Sequence, residues 1–281
     1  MFLITGAKGQ LGRCLAEILA GEQAYFCDVD EADITNAASL AAYCEGKNIT
    51  ALINCAAYTN VDKAEDEPEK AFAANVTGAL NLAKLAAEKN IPLIHISTDY
   101  VFGSRPVTGI LDETARTAPE NVYGKTKLEG ERAVMKYAPS CAIIRTAWLY
   151  SHYGNNFLKT MLRLGAEKSE IKVVADQIGT PTFAPDLARA VLAAARNLKP
   201  GAKEIYHFTN EGAASWYDFA YEIMRRKKLP CRVLPIRSAE YPAKAKRPFF
   251  SVLDKSKIKK DLGLEINHWT KGVEECLKRL S

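Results

Sequence analysis

The chain has 281 residues, of which 48% are hydrophobic and 25% charged, with a net charge of +5. No apolar run approaches the roughly 18 residues of a membrane-spanning helix, so the balance is that of an ordinary soluble globular protein without a membrane partner. The basic residues are dispersed, with mild clusters at Arg225–Lys228 and Lys255–Lys260. Nucleic-acid binding requires a concentrated basic face, so no nucleic-acid partner is expected.

In chain order, "MFLIT" (1–5) reads as a first strand and not a signal peptide, because no basic region precedes it and Gly6 follows at once. A helix over about 10–20 leads to the apolar run "AYFCDV" (24–29), a helix over about 37–46 and the run "ALINCA" (51–56). A long helix is expected from near Pro68, where proline suits the first turn, to about Lys89. "PLIHIS" (92–97), a helix over about 120–137 and "CAIIRTA" (141–147) complete the first half. Continuous apolar strands alternating with helices predict a parallel sheet covered on both faces, an α/β fold of the Rossmann-type, doubly wound kind.

The second half is less regular. Its strand-like runs are "IKVV" (171–174), "EIYHFT" (204–209) and "CRVLPI" (231–236), and helices are expected over 155–166, 184–197, 215–228 and 269–280. The expected organisation is a dinucleotide-binding domain over 1–148, to which later segments (roughly 171–197) return. A smaller C-terminal α/β substrate lobe occupies most of 149–281. Seven cysteines, an odd number without a CxxC, several of them in apolar runs such as "LINCAA", predict reduced, buried thiols and a cytoplasmic location. The histidines His95, His152, His207 and His268 are isolated, so no metal site is expected.

"TGAKGQLG" (5–12) carries Gly6, Gly9 and Gly12 directly after the first strand, with Gln10 and Leu11 opening the first helix. Gly6 permits a tight turn. Gly9 lets the backbone approach a pyrophosphate at the positive end of the helix, and Gly12 permits close packing of helix on sheet. Asp28 and Asp30 lie 22 and 24 residues beyond Gly6, where a ribose-binding acid belongs. An acid there favours NADH, yet Lys8 and Arg13 could meet a 2′-phosphate, so NADH and NADPH both stay open. Asp33 and Ile34 could contact adenine, or equally belong to a helix cap over Asp33–Asn36. After the third strand, the small Ala56 and Ala57 allow a dinucleotide to pass close to the backbone; Tyr58 and Asp62 follow, and Asp62 reads equally as a turn residue.

Thr98 ends the fourth strand, where a hydroxyl could orient a substrate carbonyl. Tyr123 and Lys127 fall four apart on one helix face. A phenol titrates near 10, and a neighbouring ammonium lowers that value. Tyr123 can then give a proton to a carbonyl oxygen as hydride reaches the carbon, while Lys127 also bonds the nicotinamide ribose. Lys125, Glu129 and Glu131, on the same helix, read as ordinary surface charges.

With these residues in place the chain resembles the extended short-chain dehydrogenases/reductases, and within them the dTDP-4-dehydrorhamnose reductase family. The resemblance covers essentially the whole chain. It rests on "TGAKGQLG", "INCAAYTNVDKAE", "HISTDYVFG", "NVYGKTKLEGE", "IRTAWLY", "GNNFLKTML", "DQIGTPT" and "RPFFSVLD". It implies that Thr98, Tyr123 and Lys127 are catalytic, that Asp99 and Trp148 line the sugar site, and that Asn75 helps hold the lysine through water. It also implies reduction of the C4 ketone of dTDP-4-dehydro-6-deoxy-L-mannose to dTDP-L-rhamnose. For such a nucleotide sugar, Asn156 and Arg247 supply polar contacts, Arg247 toward the diphosphate. Trp148 reads alternatively as core and Arg247 as a surface charge, and Trp216 as a packing residue capped by Ser215. Some family members dimerise through magnesium held by glutamates, one of them two residues beyond the last loop glycine. Cys14 stands there, a poor magnesium ligand, so a monomer or a dimer not bridged by metal is expected. Dehydratases on this fold carry Thr-Asp-Glu after the fourth strand, whereas Tyr100 fills the third place here. An epimerase and a non-catalytic NADP-binding regulatory subunit are the remaining alternatives.

Overall fold

The computed structural model describes residues 1–103 and 109–280. The first five strands are β1 (Phe2–Thr5), β2 (Ala24–Cys27), β3 (Ala51–Asn54), β4 (Leu93–Thr98) and β5 (Cys141–Thr146). Three short or peripheral strands follow, β6 (Leu149–Tyr150), β7 (Glu170–Val174) and β8 (Ile178–Gly179), then β9 (Thr182–Phe183), β10 (Lys203–His207), β11 (Ala214–Ser215) and β12 (Arg232–Ile236). Six of them form one parallel sheet in the order β10-β5-β4-β3-β1-β2.

Alternation along each strand sends neighbouring residues to opposite faces. Ile4, Ile53, Ile94 and Ile144 point to one face, where α1 (Gln10–Ile18) and α8 (Ala184–Asn197) cover them. Leu3, Leu52, Leu93 and Ile143 point to the other. There α2 (Ala37–Cys44), α5 (Gly78–Lys89) and α6 (Val122–Tyr137) complete the layer. The strand order reverses direction between β1 and β3. In an open α/β sheet the crevice at that switch point, outside the carboxyl ends of the strands, is where ligands bind.

The helix expected over 68–89 is interrupted. Two short helices, α3 (Val61–Ala64) and α4 (Pro68–Phe72), precede a π-helical turn at Ala73–Thr77 that leads into α5. The π turn holds Asn75 against the neighbouring backbone: its Oδ1 accepts from Tyr58 N at 2.9 Å and its Nδ2 donates to Thr126 Oγ1 at 3.0 Å. Such a turn leaves no mark in hydrophobic periodicity.

The smaller lobe contains the pairs β7–β12, β6–β9 and β8–β11. Around them pack α7 (Phe157–Glu167), α9 (Trp216–Lys227) and α11 (Trp269–Arg279), on a core that includes Tyr150, Phe219 and Val273. The chain crosses between lobes repeatedly. β7 sits in the smaller lobe, α8 packs on α1 and the main sheet, and β10 forms that sheet's last strand. A further helix, α10 (Ser256–Leu262), rests on α8 and β10. It is rich in lysine and buries Ile258 alone among its residues, so it lacks the apolar stripe that would announce it. Among the described residues no helix is long and apolar enough to cross a membrane.

Candidate active site

A single cavity of about 800 Å3 runs from the glycine loop to the start of α6. At one end, Gly6 adopts φ +69°, and a Cβ there would stand 2.6 Å from Ala56 N. A Cβ at Gly12 would stand 2.4 Å from the Gly6 carbonyl oxygen. The loop is thus folded onto β3 and onto its own helix with no room for side chains. Gly9, the N-cap of α1, brings no side-chain hydrogen bond to the helix end, so the first-turn N–H groups are open to the cavity wall formed by Gln10, Leu11 and Gly12. This cradle, with the small Ala56 and Ala57 beside it, fits a dinucleotide pyrophosphate.

Beyond β2, Asp28 lines the cavity and accepts from Lys8 N at 2.8 Å. Lys8 Nζ binds Asp30 at 2.6 Å and Glu31 at 3.0 Å. Asp30 therefore faces the lysine and does not line the cavity. Asp33 and Ile34 both line it. The Asp33 carboxylate closes a local turn by accepting from Thr35 N and Oγ1, each at 2.8 Å, while Ile34 packs on Gly78 of α5. The same segment is the expected helix-cap region: Asn36 caps α2 by accepting from Ala38 N and Ser39 N at 3.0 and 3.2 Å. Tyr58 does not reach the cavity: its backbone is held by Asn75 and its hydroxyl donates to Glu67 at 2.8 Å.

At the other end the sheet and α6 bring Thr98, Asp99, Tyr123 and Lys127 together. Asn121 caps α6 by accepting from Gly124 N at 2.7 Å, which fixes the first turn and with it Tyr123. Thr98 Oγ1 donates to Asp99 Oδ1 at 3.1 Å and accepts from Tyr100 N at 3.2 Å. Lys127 is 2% exposed and donates to the Ile96 carbonyl at 2.6 Å. Burial lowers its amine to about 8, with Glu131 pulling the other way. Burial pushes the Tyr123 phenol up to about 12, partly offset by a hydrogen bond with Thr98 and reinforced by Asp99. The expected lowering of the phenol by Lys127 is not found in this geometry, because burial dominates and the amine is turned to a carbonyl. Burial also raises the Asp99 carboxyl to about 6, and its Oδ2 has no hydrogen-bond partner among the described residues.

The third wall comes from the smaller lobe. Trp148 takes φ +49° and stacks on Trp216 with ring centroids 3.6 Å apart and planes 12° from parallel. Trp216 opens α9 under a capping box made by Ser215 and Asp218. Asn156 lines the cavity as the N-cap of α7, but its Nδ2 donates to Gln10 Oε1 at 2.9 Å, tying the lobe to the glycine loop. Arg247 lies off the cavity, bound through Nη2 to Asp62 Oδ2 at 2.6 Å, so Asp62 anchors a later segment and is more than a turn residue.

Asn75 bonds directly to Tyr58 and to Thr126, which stands beside Lys127 on α6. One further expectation changes. Glu131 is no surface charge: it is 3% exposed and paired with Arg145. Ser97, Thr146 and Asn155 also line the cavity and were not singled out from sequence. Each lies within a residue or two of a strand end or quoted motif, and that adjacency was the available signal. Cys14 is buried on α1, with its thiol pushed up to about 12 by burial.

A family model, the RmlD substrate binding domain, matches residues 1–281. The chain belongs to this family. The dTDP-4-dehydrorhamnose reductase of Aggregatibacter actinomycetemcomitans is 41% identical, over 97% of this chain and 96% of the relative. Among solved RmlD-type structures, the dTDP-4-dehydrorhamnose reductase of Clostridium acetobutylicum superposes with a TM-score of 0.94 at 41% identity, covering 99% of both chains. That of Bacillus anthracis, solved in complex with NADP, gives 0.93 at 38% identity, covering 99% of this chain and 98% of its own. The resemblance read from the motifs holds over the full length, and so does the doubly wound fold.

Proposed function

We propose that this protein reduces the C4 ketone of dTDP-4-dehydro-6-deoxy-L-mannose to dTDP-L-rhamnose with NADPH or NADH. The observation that carries the reading is the convergence of Thr98, Tyr123 and Lys127 at one end of a cavity whose other end is the glycine cradle. Gly6, Gly9, Gln10, Leu11 and Gly12 would hold the pyrophosphate, Asp28 the adenosine ribose, Ile34 and Asp33 the adenine, and Ala56 and Ala57 the passage between. When bound there, the nicotinamide supplies the hydride for the carbonyl carbon.

Tyr123 is the proton donor to the carbonyl oxygen. With the phenol up at about 12 it is fully protonated at neutral pH, the form that a reduction consumes. Thr98 orients the same oxygen and bonds the phenolate left behind. Lys127 supplies the positive charge that balances that phenolate and a donor for the nicotinamide ribose. Asp99 and the Trp148 ring bound the sugar pocket.

The test is oxidation of NADPH and of NADH on addition of the 4-keto sugar nucleotide, with the C4 configuration of the product read by NMR. Turnover to the L-rhamnose configuration is expected. Tyr123→Phe should retain cofactor binding and lose about 10²-fold or more of turnover. Tight cofactor binding without turnover on keto-sugar nucleotides would instead identify a regulatory binding subunit, and near-normal turnover by Tyr123→Phe would remove Tyr123 as the acid.

A further inference from the structure

Glu131 lies four residues after Lys127 on α6, which places both on one face of the helix, a turn apart. Both side chains are almost fully buried. Arg145, on β5, grips the carboxylate with two prongs: Nε donates to Oε1 at 2.9 Å and Nη2 to Oε2 at 2.8 Å. In the register of the sheet Arg145 stands beside Ser97, the residue before Thr98. Its guanidinium also lies against the Phe102 ring, 5.1 Å from the centroid. The ion pair therefore joins the helix that carries Tyr123 and Lys127 to β5, beside the end of the neighbouring strand β4 that carries Thr98.

A desolvated ion pair is a poor way to gain stability, since apolar residues of similar volume often serve as well or better. Its placement beside Lys127 suggests a different use. Two other titratable groups feel the amine: Cys55, just beyond β3, and His95, on β4. Burial pushes the Cys55 thiol up and holds His95 well below its ordinary range, so neither carries charge at neutral pH. Tyr123, one turn earlier, is a neutral phenol. Among the described residues, Glu131 is the carboxylate that favours a charged Lys127 against the opposing effect of burial.

We propose that Glu131, clamped by Arg145, is a positioning residue that keeps the buried Lys127 amine charged and aimed along the inner face of α6. The consequence for turnover rests on the reductase reading above. The charge state of Lys127 is a property of the chain itself.

The test is a 13C NMR titration of the full-length protein labelled at lysine Cε, with the Lys127 signal identified by Lys127→Arg. The wild-type amine is expected to titrate at about 8. Glu131→Gln should move that midpoint down by about one pH unit or more, the effect of losing an opposite charge at close range. Because this variant leaves Arg145 without its carboxylate, the double variant Glu131→Gln/Arg145→Met is titrated beside it. With neither charge left it should fold and show a lowered midpoint too. A midpoint within about 0.3 of wild type in the folded variants overturns the proposal. So does loss of the fold in both, which would make the pair a core element only. Turnover separates this from the reductase reading: Tyr123→Phe should lose about 10²-fold or more of turnover while leaving the Lys127 midpoint in place. A wild-type protein inactive on the keto sugar would sink the reductase reading alone, and the titration would still decide the role of Glu131.

Discussion

Asp99 is 2% exposed, and burial holds its carboxyl at about 6. Between about pH 4 and 6 the unfolded chain gives up a proton that the folded chain keeps, so stability falls as pH rises through that window and levels off above it. Asp99→Asn should therefore raise stability at pH 7, by up to about 3 kcal/mol, and bring no gain near pH 4. Thermal melts at the two pH values check this, and a gain independent of pH would contradict it. At this scale the meeting of Thr98, Tyr123 and Lys127 in one cavity was legible, because the end of β4 and one face of α6 were both readable from the sequence. Glu131 was not. An acid with Arg132 as its immediate neighbour, on a helix of many charges, looks like part of any solvated face, and only the docking of α6 on β5 reveals Arg145 as its partner. The direction of the Lys127 amine was hidden for the same reason, since it depends on how deeply α6 sits over β4.

The β1–loop–α1 element is specified by steric exclusion as much as by conformational freedom. Gly12→Ala would drive a Cβ into the Gly6 carbonyl and the Ala7 backbone, both of them main chain that cannot swing aside. A cost of about 1–3 kcal/mol is expected, together with at least tenfold weaker cofactor binding, because the cradle of N–H groups would open. Calorimetric titration with NADPH and a melting curve measure the two effects, and unchanged affinity would show that the loop does not hold the pyrophosphate. The long strands and helices of the main sheet were readable from alternating apolar runs. Strands of two residues, such as β6, β8, β9 and β11, are too short for any periodicity, and α10 buries too little of its surface to carry one.

Across the whole molecule, Gln10 is one residue through which the two lobes meet beside the cavity. Its Oε1 accepts from Ser151 Oγ at 3.0 Å and from Asn156 Nδ2 at 2.9 Å, so the first turn of α1 and the N-cap of α7 share one acceptor. Gln10→Ala removes that acceptor while the Tyr153 and Ser151 carbonyls remain within reach of the two donors, so it should cost about 1 kcal/mol. That corresponds to a drop of roughly 2–4 degrees in melting temperature. An unchanged melting temperature would mean that water replaces the glutamine without loss. Such a clasp could not be read from sequence, because its partners lie more than 140 residues apart. The repeated crossing of the chain between lobes has the same origin: β10 reads as a strand, but nothing local says which sheet it joins.

The stack of Trp148 on Trp216 has a use outside chemistry. Two indoles held nearly parallel at 3.6 Å form a coupled pair of chromophores. The chain has three tryptophans in all, and the third, Trp269, is buried in the core of the smaller lobe. Trp148 belongs to the cavity wall, so whatever enters beside it perturbs the pair directly. The protein thus carries an optical gauge of occupancy at the Trp148 end of its cavity, readable by near-ultraviolet circular dichroism without any label.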